Sequence, residues 1–266
     1  MPPSPQPGAP QSGGAAAGAR PAVAIVPARL GSTRLARKML LRETGQYLFE
    51  HTVRRVESCG QFERVVLATD SDEIARAAGE VGIEALMTSD AHRSGTDRVN
   101  EALAILEGRG EGPFDVVVNV QGDEADLPAD DLGTLLAAFD DPEVELATLA
   151  ADVDDPAELA DPHVVKVVCD RRGFALTFSR APLAGGRHHV GVYGFRPAAL
   201  ARFCALEPGR LEQAERLEQL RWLEAGEEIR VVPASRVSGG IDTEQDYRAF
   251  VERVRSRGNL EGTPVR

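Results

Sequence analysis

Residues 22–28 read AVAIVPA, an apolar run as long as one strand, and the polar loop RLGSTRLARK follows at 29–38. Three further runs, at 64–69 (RVVLAT), 85–88 (ALMT) and 114–120 (FDVVVNV), are also short, largely apolar and bounded by turn or polar residues. Their hydrophobicity is continuous rather than alternating, which is typical of strands covered on both faces of a parallel sheet.

Helical patterns separate these runs. We predict helices over 48–58, 72–81 and 96–107, the second capped by Asp70 or Ser71. Strands and helices that alternate in this way predict βαβ units with right-handed crossovers.

The second half of the chain has a different rhythm. A Gly turn at 170–173 between two apolar runs predicts an antiparallel hairpin. Gly226 is a suitable C-terminal glycine for a charged helix. The predicted elements are strands over 164–169, 174–179, 189–195 and 229–233, and helices over 211–224 and 243–257. The sequence thus predicts a single α/β domain, with a mostly parallel, Rossmann-like sheet and a smaller mixed antiparallel portion.

Composition excludes several classes of protein. The 266 residues include 42 acids and 30 cations, so the formal net charge of −12 disfavours general binding to nucleic acid or to an anionic membrane surface. No apolar run is long enough to span a bilayer. Three widely spaced cysteines form no CxxC pair, and the histidines show no HxxxH spacing, so we expect neither disulfides nor zinc. Residues 1–20 are rich in Pro, Gly and Ala, predict a disordered tail and lack a secretory signal, so we expect a cytoplasmic protein.

The loop after the first strand concentrates positive charge. Five cations and no acid lie between Arg29 and Arg42, among them Lys38, one of only two lysines. Arginine forks and a lysine on a Gly/Ser/Thr loop suit a polyphosphate. The alternative is a solvated charge cluster before a helix. The loop matches neither GxGxxG nor the P-loop pattern.

Two acidic turns also follow predicted strands. Asp123 lies in QGDE at 121–124, and Asp242 lies in GGIDT at 239–243. In an open α/β sheet, ligands bind beyond the carboxyl ends of the strands, so the two aspartates together could hold Mg²⁺. Taken singly, the first is more often a plain turn, and Asp242 or Thr243 could simply cap the last helix.

Two further segments carry polar side chains that could contact a ligand. The loop DAHRSGTDR at 90–98 could contact a nucleotide base, although Ser94 or Thr96 could equally be only a helix cap. Strand alternation places His189 and Gly191 on one face and His188, Val190 and Val192 on the other.

Nine blocks, in order and at plausible spacing, carry a family resemblance. They include AIVPARLGSTRLARKML, VVLATDSDEIARA, MTSDAHRSGTDRVNEA, VVNVQGDEADLP, HHVGVYGFRPAAL and GGIDTEQDYRAF, and together they span residues 22 to about 250. The chain resembles CMP-Kdo synthetases (3-deoxy-manno-octulosonate cytidylyltransferases). These enzymes join CTP to the sugar acid Kdo, release pyrophosphate and supply lipopolysaccharide synthesis.

The resemblance implies a single cytidylyltransferase domain over 21–258, followed by a short tail at 259–266. CTP would bind the part over about 21–125, and the part over about 150–235 would serve sugar-acid binding and homodimerisation. The catalytic residues would be Arg29, Lys38, Asp123 and Asp242, the last two also binding Mg²⁺. CTP would contact Ala28, Arg29, Arg34, Lys38, Ser94, Gly95, Thr96, Arg98 and Gln121. The sugar acid would contact Gln121, Arg180, His189, Tyr193 and Glu212.

Three departures from the family pattern leave alternatives open. The family loop RLPGKPL reads RLARKML at 34–40, which removes two prolines and a glycine and predicts a more flexible loop. Ala125 stands where the family has proline after GDE. A longer family insertion is reduced to five residues, 183–187. The acceptor could therefore be another 2-keto sugar acid, such as amino-Kdo or a sialic-type acid, and a nucleotide-binding relative without turnover is a further alternative.

Overall fold

A computed structural model describes residues 20–260 except 33 and 154. The strands are β1 Ala22–Ala28, β2 Arg64–Thr69, β3 Ala85–Met87, β4 Val116–Val120, β5 Leu146–Ala151, β6 Lys166–Cys169, β7 Ala175–Ser179, β8 Arg187–Phe195 and β9 Arg230–Pro233. The helices are α1 Leu48–Glu57, α2 Asp72–Glu80, α3 Gly95–Gly108, α4 Ala129–Ala137, α5 Pro156–Ala160, α6 Pro197–Ala205, α7 Arg210–Glu215, α8 Leu220–Glu224 and α9 Glu244–Leu260.

One mixed sheet organises the chain, in the order β3-β2-β1-β4-β8-β5-β9. β3, β2, β1 and β4 run parallel to one another. β8 is inserted antiparallel between β4 and β5, and β9 runs parallel to β5. The hairpin β6–β7 joins the sheet through β6, which pairs with β8. This topology confirms the predicted fold class, and it brings the carboxyl ends of β1, β2 and β4 to one edge.

Both faces of the sheet are covered, as the continuous apolar runs predict. All seven residues of β1 are buried. Ala24 and Val26 pack with α1, α2 and α4 on one face, whereas Val23 and Ile25 pack with α3, α6 and α8 on the other. Each fully buried valine or isoleucine contributes about 1.5–3 kcal/mol relative to an exposed one, so the strand that leads into the cationic loop is firmly anchored.

The predicted helix over 211–224 is wrong as a single element. Arg216 has a left-handed backbone (φ 56°) and separates α7 from α8. No residue of α7 is buried, whereas Leu217, Leu220 and Trp222 are buried in the core. The break turns the chain inward, so that these apolar side chains reach the sheet.

Other boundaries differ by a few residues. β6 begins at Lys166 and β4 at Val116, in each case two residues later than predicted. α9 extends to Leu260, past the predicted domain end at 258. Most of the predicted tails, 1–20 and 259–266, lie outside the described residues.

Two of the sequence-based expectations, on membrane-spanning helices and on the cysteines, can be compared with the described residues. No helix within them is both long and apolar enough to cross a membrane. Cys59, Cys169 and Cys204 are free thiols.

Candidate active site

Two adjoining cavities lie at the carboxyl ends of β1 and β4. One has a volume of about 230 Å³ and is lined by Pro27, Arg29, Gly31, Ser32, Arg34, Lys38, Met39, Gln121, Gly122, Asp123 and Asp242. The other, of about 80 Å³, is lined by Pro27, Ala28, Arg29, His92, Ser94, Gly95, Arg98 and Gln121. Because they share Pro27, Arg29 and Gln121, we treat them as the phosphate side and the base side of one cleft.

A larger cavity of about 620 Å³ lies at the opposite edge of the sheet, around the starts of β1 and β4. None of the predicted site residues lines it. In an open α/β sheet, ligands bind at the carboxyl edge, so the smaller cleft is the better candidate.

The cationic loop presents its side chains in different directions. Arg29 is exposed and lines both sides of the cleft, and within the described part of the chain its guanidinium has no hydrogen bond or ion pair. Arg34 Nη2 lies 2.9 Å from Asp242 Oδ2. Arg37 instead pairs with Glu73 of α2, outside the cleft. Arg29 is thus a free guanidinium for an anionic ligand.

The backbone conformation at Arg37 directs Lys38 into the cleft. The backbone of Arg37 is left-handed (φ 53°), and this residue precedes a 3₁₀ turn over Lys38–Leu40. The family pattern has glycine at this position, so the altered loop keeps a glycine-like backbone with an arginine, at a cost of about 1 kcal/mol or more.

Lys38 connects the two acidic turns. Its ammonium donates to Asp123 Oδ2 at 2.5 Å and to Asp242 Oδ1 at 3.0 Å, and the residue is only 6% exposed. Burial alone would lower the pKa of Lys38, but the charges and hydrogen bonds of the two aspartates outweigh it and raise that pKa. The ammonium therefore stays charged at neutral pH.

The turn after β4 holds Asp123 against the end of β1. Gly122 donates its N–H to the Pro27 carbonyl at 3.2 Å, and its own carbonyl accepts from Thr52 Oγ1 at 2.8 Å. The next residue, Glu124, is 7% exposed. Burial and then the charge of Asp123 raise the pKa of Glu124 to about 8, so this third carboxyl is largely neutral at pH 7.

The second acidic turn resolves the capping question. Thr243 caps α9, because its hydroxyl accepts from the Asp246 N–H at 3.2 Å and Asp246 accepts from the Thr243 N–H at 2.8 Å. Asp242 is therefore available for Lys38 and Arg34. The Ile241 N–H donates to the Asp123 carbonyl at 3.1 Å, which ties the two turns together.

The base side is built on the first turn of α3. Ser94 caps this helix by accepting from the Asp97 N–H at 3.1 Å, and it also lines the cleft. A Cβ on Gly95 would lie 3.0 Å from the Gln121 amide, so glycine allows the helix to approach β4 closely. Arg98 is 3% exposed and donates to Asp70 Oδ2 at 2.6 Å and Thr88 Oγ1 at 2.5 Å. Its guanidinium braces the cleft wall.

A polar chain leads away from the base side towards the break between α7 and α8. Gln121 Nε2 donates to Asn119 Oδ1 at 3.0 Å, and Asn119 Nδ2 donates to Thr96 Oγ1 at 3.3 Å. The Thr96 hydroxyl donates to Glu218 Oε2 at 2.9 Å. Glu218 Oε1 and Gln219 Nε2 are buried without a hydrogen-bond partner among the described residues. Buried polar atoms of this kind indicate a ligand or an ordered water.

Of the residues predicted to contact the sugar acid, only Gln121 lines the cleft. His189 is buried with its Nε2 3.0 Å from Thr148 Oγ1, and burial lowers the pKa of His189 to about 3. Tyr193 packs beside His189, with ring centroids 5.5 Å apart. Arg180 Nε donates to the Glu215 carbonyl at 3.2 Å. Glu212 forms a bidentate pair with Arg221, at 2.8 and 2.5 Å.

The structure adds four residues to the surroundings of the cleft that the sequence did not single out as site residues: Glu218, Gln219, His92 and Asp70. The segment 211–219 contains Leu-Glu-Gln twice, and Glu212, which is predicted to contact the sugar acid, lies in the first copy. The second copy contains Glu218 and Gln219, which join the polar chain described above. His92, in the loop 90–98, lines the base side of the cleft and pairs with Glu101. Asp70 directly follows β2 and accepts a hydrogen bond from Arg98. Its position after a strand is the feature of the sequence that could have indicated a place beside the cleft.

The phosphate side suits a hard divalent cation. Two carboxylates converge on the same ammonium, and Mg²⁺ prefers one or two carboxylates together with waters and substrate phosphates. Within the described ranges, no group of three or more His, Cys, Asp or Glu side chains is placed to hold a metal. The described side chains therefore offer two carboxylates to a cation and do not form an all-protein cage.

An α/β sheet whose carboxyl edge sets arginines and a lysine against two carboxylates has the fold and the site of a nucleotidyltransferase. The chain belongs to the cytidylyltransferase family, whose sequence model matches residues 23–229.

Individual relatives narrow this class to the predicted branch. The chain is 40% identical over 242 residues to a 3-deoxy-manno-octulosonate cytidylyltransferase of Acidobacterium capsulatum, covering 88% of this chain and 96% of the relative. It is 43% identical over 243 residues to the enzyme of the same name from Nitratidesulfovibrio vulgaris, covering 87% and 95%. These relatives confirm the family resemblance that the nine sequence blocks carry.

A solved structure agrees with the fold. The chain matches a CMP:2-keto-3-deoxy-manno-octonic acid synthetase complexed with CTP, with a TM-score of 0.80 and 36% identity over 91% of this chain and 99% of that one. A second match, 4-diphosphocytidyl-2C-methyl-D-erythritol synthase from Anaerococcus prevotii, has a TM-score of 0.61 and 13% identity, and supports the fold alone.

Proposed function

We propose that the protein transfers the cytidylyl group of CTP to Kdo, forming CMP-Kdo for lipopolysaccharide synthesis and releasing pyrophosphate. The observation that carries the proposal is the cleft itself, where Arg29, Arg34 and Lys38 meet Asp123 and Asp242 beside a base-sized recess. The names of the relatives support the choice of CTP and the sugar acid.

The reaction needs positioning and charge neutralisation more than a strong base. The anomeric hydroxyl of the sugar acid attacks the α-phosphorus, the bond to pyrophosphate breaks, and the hydroxyl proton is lost. Both substrates are anions, so the barrier is lowered most by cations placed where negative charge develops. Arg29 and Lys38 would stabilise the leaving pyrophosphate, and the ion pair of Arg34 with Asp242 at 2.9 Å would hold this carboxylate in position.

Asp123 and Asp242 are the residues that would hold Mg²⁺. When bound, the ion would neutralise the α-phosphate and lower the pKa of the attacking hydroxyl. On the base side, Ser94 and Gly95 would border cytosine, and Gln121 lies where the phosphate side and the base side meet.

We further propose a homodimer in the cytoplasm. The exposed apolar side chains Leu176 (63% exposed) and Leu211 (49%) lie in the part of the chain assigned to dimerisation and support the first statement. The three free thiols fit a reducing compartment and support the second. Light scattering of the purified protein tests the dimer.

The function is tested by pyrophosphate release with CTP and Mg²⁺ and a panel of Kdo, amino-Kdo and sialic-type acids. We expect release with Kdo. Release with another acid alone would change the acceptor, and CTP binding without any release would make the protein a non-catalytic relative.

A further inference from the structure

Lys38 bonds to one oxygen of each carboxylate that the proposed function assigns to a divalent cation. Its ammonium lies 2.5 Å from Asp123 Oδ2 and 3.0 Å from Asp242 Oδ1. A bound Mg²⁺ needs carboxylate oxygens at about 2.0–2.1 Å. If that ion bound the same two oxygens, the ammonium would lie in contact with it, and around the buried Lys38 the two positive charges would repel each other strongly. The two cations therefore exclude each other.

The surrounding residues allow Lys38 to leave. Lysine carries its charge on a flexible four-carbon stem with three donors, only two of which are used for the aspartates. When Lys38 leaves, Asp242 still has a cationic partner, because Arg34 Nη2 lies 2.9 Å from its other oxygen, Oδ2. Lys38 already lines the phosphate side of the cleft, so an anionic partner is within its reach.

We propose that Lys38 is an internal counter-ion that competes with the divalent cation for Asp123 and Asp242, and moves to the triphosphate when that cation binds. This inference rests on the proposed function for the identity of the triphosphate. The competition itself concerns only the protein and the metal. Lys38 thereby makes metal binding weak until a nucleotide offers the lysine another anion.

The test measures binding of Mn²⁺, a spectroscopic substitute for Mg²⁺ with similar oxygen ligands, in the absence of CTP. Electron paramagnetic resonance counts free Mn²⁺ for the wild type, Lys38→Gln and the matched control Arg37→Gln. The control removes a cation from the neighbouring position, which pairs with Glu73 rather than with the aspartates. We expect Lys38→Gln to bind Mn²⁺ on the order of 10-fold more tightly, because a competing unit charge is removed. Arg37→Gln should bind as the wild type does.

A purely structural role for Lys38 would give a different pattern. Loss of structure weakens metal and nucleotide binding together, whereas competition tightens Mn²⁺ binding and weakens CTP binding. Thermal unfolding with and without Mn²⁺ provides a second readout, since the ion should raise the melting temperature of Lys38→Gln more than that of the wild type. Lys38→Arg, which keeps the charge, should not gain Mn²⁺ affinity.

Equal or weaker Mn²⁺ binding by Lys38→Gln would overturn the inference, and so would equal tightening in Arg37→Gln. The proposed function fails separately, if the wild type releases no pyrophosphate with any sugar acid. In that case the Mn²⁺ measurements still decide whether Lys38 competes for the two carboxylates.

Discussion

Gly122 is the position at which a single methyl group should disturb catalysis. A Cβ added there would lie 2.9 Å from Met39 Sδ and 3.0 Å from the Pro27 carbonyl oxygen. Met39 is only 6% exposed, and the carbonyl belongs to β1, so neither atom can move away freely. Overpacking of this kind costs about 1–3 kcal/mol.

The strain should be relieved by displacement of the turn that carries Asp123. The N–H of Gly122 donates to the same Pro27 carbonyl, so that hydrogen bond lengthens as the methyl group is accommodated. Asp123 then moves relative to Lys38, to which it is bonded at 2.5 Å. Misplacement of a reacting group by about 1 Å can cost about 10²-fold in rate, so we expect Gly122→Ala to lose roughly 10- to 100-fold in turnover.

Pyrophosphate release gives the rate, and thermal unfolding gives the stability, with about 2–4 °C expected for each kcal/mol lost. Gly239→Ala is the matched control: Gly239 lies in the other acidic turn, and an added Cβ would have no atom within 4 Å. It should stay within about 0.5 kcal/mol of the wild type. If Gly122→Ala keeps full turnover and an unchanged melting temperature, the packing argument for this turn is refuted.

Three further predictions concern single side chains. Asp123→Asn should keep the fold and lose at least about 10²-fold in pyrophosphate release, and a fully active variant would contradict the role of this carboxylate. Burial lowers the pKa of His189 to about 3, so the stability it contributes as a neutral ring is complete above about pH 6.5 and is lost as pH falls towards 3. Urea unfolding at pH 7 and pH 4 should therefore show a smaller loss for His189→Gln than for the wild type; equal losses would contradict this. Arg221→Met leaves Glu212 without its bidentate partner, in a site where both side chains are about 10% exposed. We expect chemical unfolding to show a loss of stability of up to about 3 kcal/mol. An unchanged stability would show that the pair contributes nothing.

The strands could be predicted because burial on both faces leaves a continuous apolar pattern. β1, with all seven residues buried, is the clearest case. The helix over 211–224 could not be divided correctly, because a left-handed residue such as Arg216 carries no local signal when it is not glycine or asparagine. The same limit applies to Arg37, whose left-handed backbone carries no local signal in the sequence.

The residues that line the phosphate side could be grouped from the sequence, whereas only Gln121 of the residues assigned to the sugar acid lines the cleft. Residues after strand ends share one edge, so Arg29, Lys38 and Asp123 could be expected near one another. The hydrogen bonds from Lys38 to both aspartates could not be predicted from the sequence, because they depend on the direction of the side chains. Which of Glu212 and Glu218 joins the polar chain behind the cleft could not be decided from sequence, since both lie in the same Leu-Glu-Gln pattern and only tertiary packing distinguishes them.

The bridge made by Lys38 also has a consequence for the order of folding. Its two partners lie 85 and 204 positions further along the chain. Contacts so distant in sequence form only after long loops have closed, and they are among the slowest to be established. A ribosome must release the segment around Asp242 before the cleft can be completed, so any shorter nascent chain lacks the second carboxylate. Activity in this protein should therefore appear as one of the last events of its synthesis.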